Sequence, residues 1–325
     1  MLHLCRLLAI ASASLASVAA WAQPAWKPEK NVEIIVPAAP GAAFDTTGRT
    51  LQRLLQDQKV LPVTSSVINK AGGGGTIAMS YLNQHTGDGH YLFVMTASVL
   101  TNNILGVSKD TYTDFTPLAM LFSEYLAYGV RTDSPIKSAK DLADALRKDP
   151  TRYSIAVATS RGGALHIATG LALKAAGVDV KKLRIVVFNA NAESLTAMLG
   201  GHVDVAVSTV NSFVPQAQAG KLRVIAVSSP RRLPGFAEAP TWKEQGIDAD
   251  YASWRGIMGP RGLNAAQTAY WEDVFGKLTR TNEWRQDVEK NLWEVTYKGS
   301  RDTVREMSEH NEQLKRILTE LELVK

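Results

Sequence analysis

Residues 154–188 read SIAVATSRGGALHIATGLALKAAGVDVKKLRIVVF, and this stretch decides the fold class. Ser154–Val157 and Arg184–Phe188 are short apolar runs, which predicts two strands. Between them, Leu165–Ala176 has apolar residues at helical spacing, and Gly177 ends the helix. Two strands joined by a helix form a parallel pair that the helix covers, so the stretch predicts an α/β protein.

The same alternation continues on both sides of this stretch. Further strands are predicted at Asn31–Val36, Val63–Ile68, Tyr91–Met95, Tyr125–Val130, Val203–Val207 and Leu222–Val227. Helices between them are predicted at Thr46–Gln58, Ile77–Gln84, Ala139–Arg147, Ala192–Leu199 and Val214–Ala219. The chain then ends in predicted helices at Ala265–Thr279, Trp284–Asn291 and about Arg301–Leu323. The pattern favours parallel sheets covered by helices, with the last helix packed on the first unit.

The alternation divides into two α/β units, and the chain crosses between them twice. The first domain takes in residues 23–126 and 228–325, and the second takes in residues 127–227. Ligands of open α/β sheets bind at the carboxyl ends of the strands. In a clamshell of two such domains these ends face each other, so we expect a ligand cleft between them and a hinge at the crossings.

The first 22 residues have the pattern of a cleavable export signal. Arg6 precedes an apolar run from Leu7 to Trp21, which is shorter than the roughly 20 residues of a membrane span. Cleavage after Ala22 predicts a mature chain that begins at Gln23 and resides in the periplasm. Export favours an extracytoplasmic binding protein or a secreted hydrolase over a cytosolic enzyme.

Composition narrows these classes. Cys5 is the only cysteine and leaves with the signal, which excludes a disulfide framework, a thiolate zinc site and a cysteine nucleophile from the mature chain. The net charge of +5 is interspersed, without a basic stripe, so a small anionic ligand is favoured over nucleic acid. HExxH, GxSxG and histidines at metal-ligand spacing are missing. We therefore predict no catalytic residue, no metal and no cofactor.

Strand-to-helix junctions are the candidate binding loops, because the first turn of a helix offers unpaired N–H groups to an anion. The first junction supplies small residues and an aromatic ring at Gly41, Ala42, Ala43, Phe44 and Asp45. Asp45 is a candidate ligand contact, although capping the helix is its preferred role.

The second junction offers hydroxyls, a guanidinium and small residues at Thr159, Ser160, Arg161, Gly163 and Ala164. Arg161 either clamps a carboxylate or lies exposed in its loop. His166 falls on the apolar face of the helix, which indicates a hydrogen-bonded structural role.

Other strand ends add polar candidates, which are Asn189, Asn191, Thr96, Ser98 and Ser208. The glycine run at residues 72–75 lacks the lysine of a phosphate loop, so we assign it to tight helix–sheet packing.

Several segments in order resemble the Bug family of solute-binding proteins, which serve tripartite tricarboxylate transporters. They are Val36–Asp45 (VPAAPGAAFD), Asn69–Gly75 (NKAGGGG), Gly87–Leu92 (GDGHYL), Ser160–His166 (SRGGALH), Leu199–Asp204 (LGGHVD), Ala219–Ser228 (AGKLRVIAVS), Ala239–Gly246 (APTWKEQG) and Trp254–Pro260 (WRGIMGP). The resemblance implies a bilobal periplasmic-binding-protein (Venus flytrap) fold whose cleft closes on a carboxylated solute. It also implies that the loops matching Pro40–Asp45 and Thr159–Ala164 hold one carboxylate.

This chain departs from the family pattern at three places. Ala164 stands where the family usually has a serine, and Ala42 stands where it has a second glycine. Residues 188–190 read Phe-Asn-Ala in place of Tyr-Lys-Gly. These departures bear on the ligand rather than on the cleft.

The resemblance implies a monomeric protein that delivers a small carboxylate to membrane permease subunits. A tricarboxylate such as citrate, or a dicarboxylate, is expected. Phe44 leaves open an aromatic dicarboxylate such as terephthalate. A sensor-linked binding module and an exported hydrolase stay open as well, the hydrolase being the least favoured.

Overall fold

The computed structural model describes residues 26–158 and 160–324. The strands, in chain order, are β1 Val32–Val36, β2 Ser65–Asn69, β3 Tyr91–Met95, β4 Thr116–Arg131, β5 Ser154–Ala158, β6 Arg184–Phe188, β7 Val205–Thr209, β8 Leu222–Val227, β9 Ala252–Gly259 and β10 Trp293–Gly299. The helices are α1 Ala43–Asp57, α2 Thr76–Asn83, α3 Ser98–Ile104, α4 Ala139–Lys148, α5 Ala164–Ala175, α6 Asn191–Leu199, α7 Val210–Gln218, α8 Ala265–Leu278, α9 Asn282–Asn291 and α10 Ser300–Glu320. The predicted signal segment, residues 1–22, lies outside the described residues.

The strands follow the order β2-β1-β3-β9-β4-β7-β5-β6, and β8 and β10 also pair with β4. The 16-residue strand β4 links two sheets. Its residues 116–125 pair with β9 and β10, whereas residues 126–131 pair with β7 and β8. The predicted domain boundary at residues 126–127 thus falls where β4 changes partners, and the division into domains stays a prediction.

The expectation of purely parallel sheets is corrected. The β2-β1-β3 and β6-β5-β7 groups are parallel, as the strand–helix alternation predicts. In contrast, β9, β10, β7 and β8 all pair with β4 in antiparallel fashion. The last third of the chain, predicted to hold helices only, contributes β9 and β10 to the first sheet. The architecture is therefore a mixed α/β fold.

Helices pack on both sheets, although the edge strand β6 is largely exposed. Leu51, Leu54 and Leu55 of α1 pack with Ile34 of β1 in one core cluster. Leu142 of α4 belongs to the cluster on the second sheet. Amphipathic helices on both faces explain why the parallel strands are continuous apolar runs.

The last helix, α10, packs on the first sheet, as predicted. Met307, Leu314 and Leu318 of α10 are fully buried in a cluster with Ile35 of β1. Among the described helices, none has the length and apolar character to cross a bilayer.

Candidate functional site

A cavity of about 280 Å³ lies where strands of both sheets end. It is lined by residues 37–39, 42–44, 71–75, Thr96, Ser98, Glu124, Leu126, Ser160, residues 163–165, residues 189–191, Thr209, Ser253 and Arg255. The first turns of α1, α5 and α6 all contribute to this lining. First-turn N–H groups have no partner inside their helix and carry the positive end of the helix dipole. Three such turns around one cavity favour a bound anion.

The loop before α1 is held by a buried carboxylate. Asp45 is 2% exposed and accepts the Gly41 N–H at 2.8 Å, the Asn69 side-chain amide at 2.9 Å and Arg49 Nε at 2.8 Å. Burial by itself raises the pKa of Asp45, but these donors outweigh it and lower the pKa below its usual value. Asp45 therefore stays ionised and holds the loop from a position off the cavity lining.

The loop before α5 is held by an imidazole. His166 Nδ1 accepts the Gly162 N–H at 2.9 Å, and the ring is 6% exposed. Burial, helped by the nearby Arg161 charge, lowers the pKa of His166 to about 4. The ring is thus neutral at pH 7, which agrees with the structural role predicted for it.

The loop before α6 repeats this arrangement at the surface. The Asn189 N–H donates to Glu193 Oε2 at 3.2 Å, and both residues are exposed. In all three loops the residue before the N-cap donates to the side chain at the third helical position. The same bond joins Lys137 and Asp141 at α4, away from the cavity, so it is a device for starting helices rather than a ligand contact.

The glycine run lies in the cavity wall, not between helix and sheet as expected. Residues 72–75 all have positive φ, from 59° to 119°, which only glycine adopts readily. The Gly74 carbonyl accepts the Asn102 amide at 3.0 Å, and a Cβ on Gly74 would lie 3.6 Å from Ser160 Cβ. The run therefore brings bare backbone against the loop before α5.

An ion pair that the sequence does not predict lines the same cavity. Glu124 on β4 and Arg255 on β9 are 4% and 5% exposed, and Arg255 Nη2 donates to Glu124 Oε1. Arg255 Nη1 donates to Ser253 Oγ at 3.0 Å, and the guanidinium lies 4.4 Å from the centre of the Phe44 ring. Burial raises the pKa of Glu124 above its usual value, while the Arg255 charge opposes that shift. One signal was present in the sequence, since a lone charge interrupts each of two apolar runs.

Most of the predicted candidates do line the cavity. They are Ala42, Ala43, Phe44, Thr96, Ser98, Ser160, Gly163, Ala164, Asn189 and Asn191. Thr96 and Ser98 are joined by a 3.0 Å hydrogen bond between their hydroxyls.

Four predicted candidates lie off this lining. Gly41 and Asp45 bond to each other behind the first loop. The Arg161 side chain is exposed, so of its two predicted positions the exposed one in the loop is observed. Ser208 is fully buried in β7 opposite Ala127. Thr159 lies outside the described residues.

No group of three or more His, Cys, Asp or Glu side chains with the geometry of a metal site occurs within residues 26–158 and 160–324. Glu124 and Arg255 are the ionisable residues in the described lining of the cavity.

Comparison with known proteins places these features in a family. The profile described as "Tripartite tricarboxylate transporter family receptor" (TctC) matches residues 49–323. A Cupriavidus necator protein named for the gbd 5' region is 25% identical over 98% of this chain and 95% of its own length. BugT of Bordetella pertussis is 25% identical over 81% of each chain.

Solved structures share the fold. The periplasmic binding protein BugD has a TM-score of 0.82 at 24% identity, over 92% of this chain and 99% of its own. A Rhodopseudomonas palustris protein solved with adipate has a TM-score of 0.83 at 22% identity, over 91% of this chain and 99% of its own. MatC of the same organism, solved with malate, has a TM-score of 0.75 at 22% identity, over 92% of this chain and 100% of its own. The mixed α/β architecture is therefore the bilobal periplasmic-binding-protein fold.

Proposed function

Since this chain belongs to the tripartite tricarboxylate transporter receptor family, we propose that it captures a small organic carboxylate in the cavity and delivers it to membrane permease subunits. The observation that carries the proposal is the convergence of the first turns of α1, α5 and α6 on one cavity between two sheets. Their N–H groups and the neighbouring hydroxyls replace the water around a carboxylate without a counter-charge.

The finer assignments rest on sequence and fold. Removal of residues 1–22 would release a monomer into the periplasm, where capture needs no cofactor. The change of partners along β4 and the crossing near residues 227–230 would supply a hinge that closes the cavity on its ligand.

The ligand classes that follow from the sequence are a tricarboxylate such as citrate, a dicarboxylate, and an aromatic dicarboxylate resting on Phe44. The bound adipate and malate of two proteins with this fold support a carboxylate. The family assignment weighs against an exported hydrolase, whereas a sensor-linked partner would use the same cavity.

The test is calorimetric titration of ligand-stripped protein with citrate, C4–C6 dicarboxylates and their monoamides, aromatic dicarboxylates and acidic amino acids. At least one carboxylate should bind, and at 100 times its dissociation constant it should stabilise the protein by about 2.7 kcal/mol. No binding by any member would contradict the proposal.

A substitution locates the site. Ala164→Asp places a carboxylate on the first turn of α5, where it would compete with the ligand for the same N–H groups, so binding should be lost. Ala265→Asp makes the same change at the exposed start of α8, which lies off the cavity lining, and should leave affinity unchanged. Equal affinities in the two variants would place the carboxylate elsewhere.

A further inference from the structure

We infer that the buried Glu124–Arg255 pair restricts this cavity to ligands with one ionised carboxylate and an uncharged hydrogen-bonding group, such as an amide or hydroxyl, at the other end. This inference rests on the proposed function: it keeps the small organic carboxylate and replaces the di- and tricarboxylates expected from the sequence with monocarboxylates. It starts from the charges in the cavity wall. One acid and one base line it in the described residues, and they are bonded to each other.

The pair is held rigidly by two strands. Glu124 lies opposite Ser253 in the β4–β9 ladder, and Arg255 lies opposite Phe122. Besides Glu124, the Arg255 guanidinium donates to Ser253 Oγ at 3.0 Å and to the Trp254 carbonyl at 3.4 Å. Its positive charge is therefore already matched before a ligand enters.

A second ligand carboxylate has two possible positions at this wall, and its binding free energy is unfavourable in both. If it takes Arg255, then Glu124 is left as a buried charge without its partner. If it lies beside the intact pair, it faces the Glu124 carboxylate, which is 4% exposed and therefore poorly screened by water. The helix first turns carry only a partial positive charge, so they do not replace the full counter-charge that a second carboxylate would need at this wall.

An uncharged polar group meets no such cost. An amide carbonyl or hydroxyl oxygen accepts from the guanidinium, which has a free Nη2–H because, among the described residues, Nη2 donates to Glu124 alone while Nη1 donates to Ser253 and Trp254. An amide N–H or a hydroxyl donates to the lone pairs of Glu124 that Arg255 leaves unused. The Phe44 ring, stacked on the guanidinium, adds an apolar surface beside this group. This preference would set the chain apart from the fold relatives solved with adipate and malate.

The experiment compares each dicarboxylate with its own monoamide, which has nearly the same shape and one charge less. Succinate, glutarate and adipate are titrated against their monoamides by calorimetry at pH 7.5. At the chain length that fits, the monoamide should bind at least about tenfold more tightly than the diacid. This comparison uses the unmodified protein, so it decides the matter even if a variant fails to fold.

Glu124→Gln then tests the cause. Removing the Glu124 charge frees Arg255, so the affinity for the diacid should rise at least about tenfold, and the preference for the monoamide over the diacid should fall by at least about tenfold. Glu294→Gln is the matched control. Glu294 accepts from Tyr125 at 2.5 Å on the neighbouring strand and lies off the cavity lining. This control should leave the ratio of affinities unchanged.

The outcomes separate the two proposals. If neither acids nor monoamides bind, the carboxylate-binding function itself fails. If both bind and the diacid is equal or tighter, only the restriction to one carboxylate fails. It also fails if Glu124→Gln leaves the ratio as it was in the unmodified protein.

Discussion

The loops before α1 and α5 share a backbone design but not its chemistry. In each, a glycine with positive φ precedes the N-cap and donates its N–H to the side chain four residues on. Before α1 that acceptor is Asp45, a carboxylate with three donors. Before α5 it is His166, an uncharged imidazole. The loop before α1 is thus held by an ionised side chain, and the loop before α5 by an uncharged one.

The comparison shows which part of the design the cavity requires. The glycine and an acceptor at the third helical position set the loop shape, so either side chain suffices for it. The choice of acceptor sets instead the pH at which the hydrogen bond to the glycine N–H is lost. Protonation removes the imidazole acceptor and weakens the carboxylate one, and it reaches the imidazole at a higher pH than the carboxylate, which separates the two loops experimentally.

Acid should open the α5 loop first, with the largest effect that we expect. The pKa of His166 is about 4 in the folded protein against 6.5 ordinarily, so the unfolded chain takes up the proton first. The free energy of unfolding is therefore fully retained above pH 6.5 and falls by about 3 kcal/mol as the pH drops to 4. Urea unfolding at intervals between pH 7 and pH 4 measures this loss.

His166→Asn isolates that contribution, because asparagine keeps an acceptor near Nδ1 and does not titrate. The difference between the two proteins should shrink steadily from pH 6.5 to pH 4. Parallel curves over this range would show that His166 titrates as freely in the folded chain as in the unfolded one.

Removing the Asp45 carboxylate should lower the free energy of unfolding by less than acid does through His166. Asp45→Ala leaves the Gly41 N–H without an acceptor and removes one of two acceptors of the Asn69 amide, which also donates to the Ala38 carbonyl at 3.0 Å. We therefore expect a loss of about 2 kcal/mol at pH 7. Asp45→Asn retains one acceptor oxygen and should lose about half as much. Urea unfolding of the three proteins gives the order, and equal stabilities would mean that the loop holds without this side chain.

The two glycines test the backbone half of the design. Both have φ near +80°, so alanine strains either position by about 1 kcal/mol. At Gly41 a Cβ would meet nothing within 4 Å, whereas at Gly162 it would lie 2.4 Å from Leu105 Cδ1. Gly162→Ala should therefore be less stable than Gly41→Ala by about 1 kcal/mol, the further cost of displacing Leu105. Thermal unfolding of both variants would contradict this if Gly41→Ala were the weaker.

These loops are also the part of the site that can be predicted from the sequence. A helix start is a local pattern, and the strand that precedes it is a continuous apolar run; Arg184–Phe188, the strand before α6, has the predicted bounds. Strand β9 was missed because Arg255 interrupts its apolar pattern. Its neutralising partner Glu124 lies 131 residues away, so no local pattern shows that the charge can be buried. β10 was missed because half of an exposed edge strand is polar.

The position of each predicted candidate depends on distances that the sequence does not contain. Ser208 and Thr209 are neighbours at the end of β7, yet only Thr209 reaches the cavity. Side chains alternate along a strand, so a shift of one residue exchanges a lining position for a buried one.

The loop before α6 should give the smallest effect and the sharpest contrast. Glu193 is exposed and accepts the Asn189 N–H at 3.2 Å, so Glu193→Ala should cost only about 0.5 kcal/mol in urea unfolding. The same change removes a negative charge from the first turn of a helix that lines the cavity. Carboxylate affinity should therefore rise, by about twofold at low salt, and this gain should vanish at high salt. A loss of affinity would mean that Glu193 holds this loop in shape, as Asp45 and His166 hold theirs. The Asn189–Glu193 hydrogen bond would then be strong in spite of its exposure.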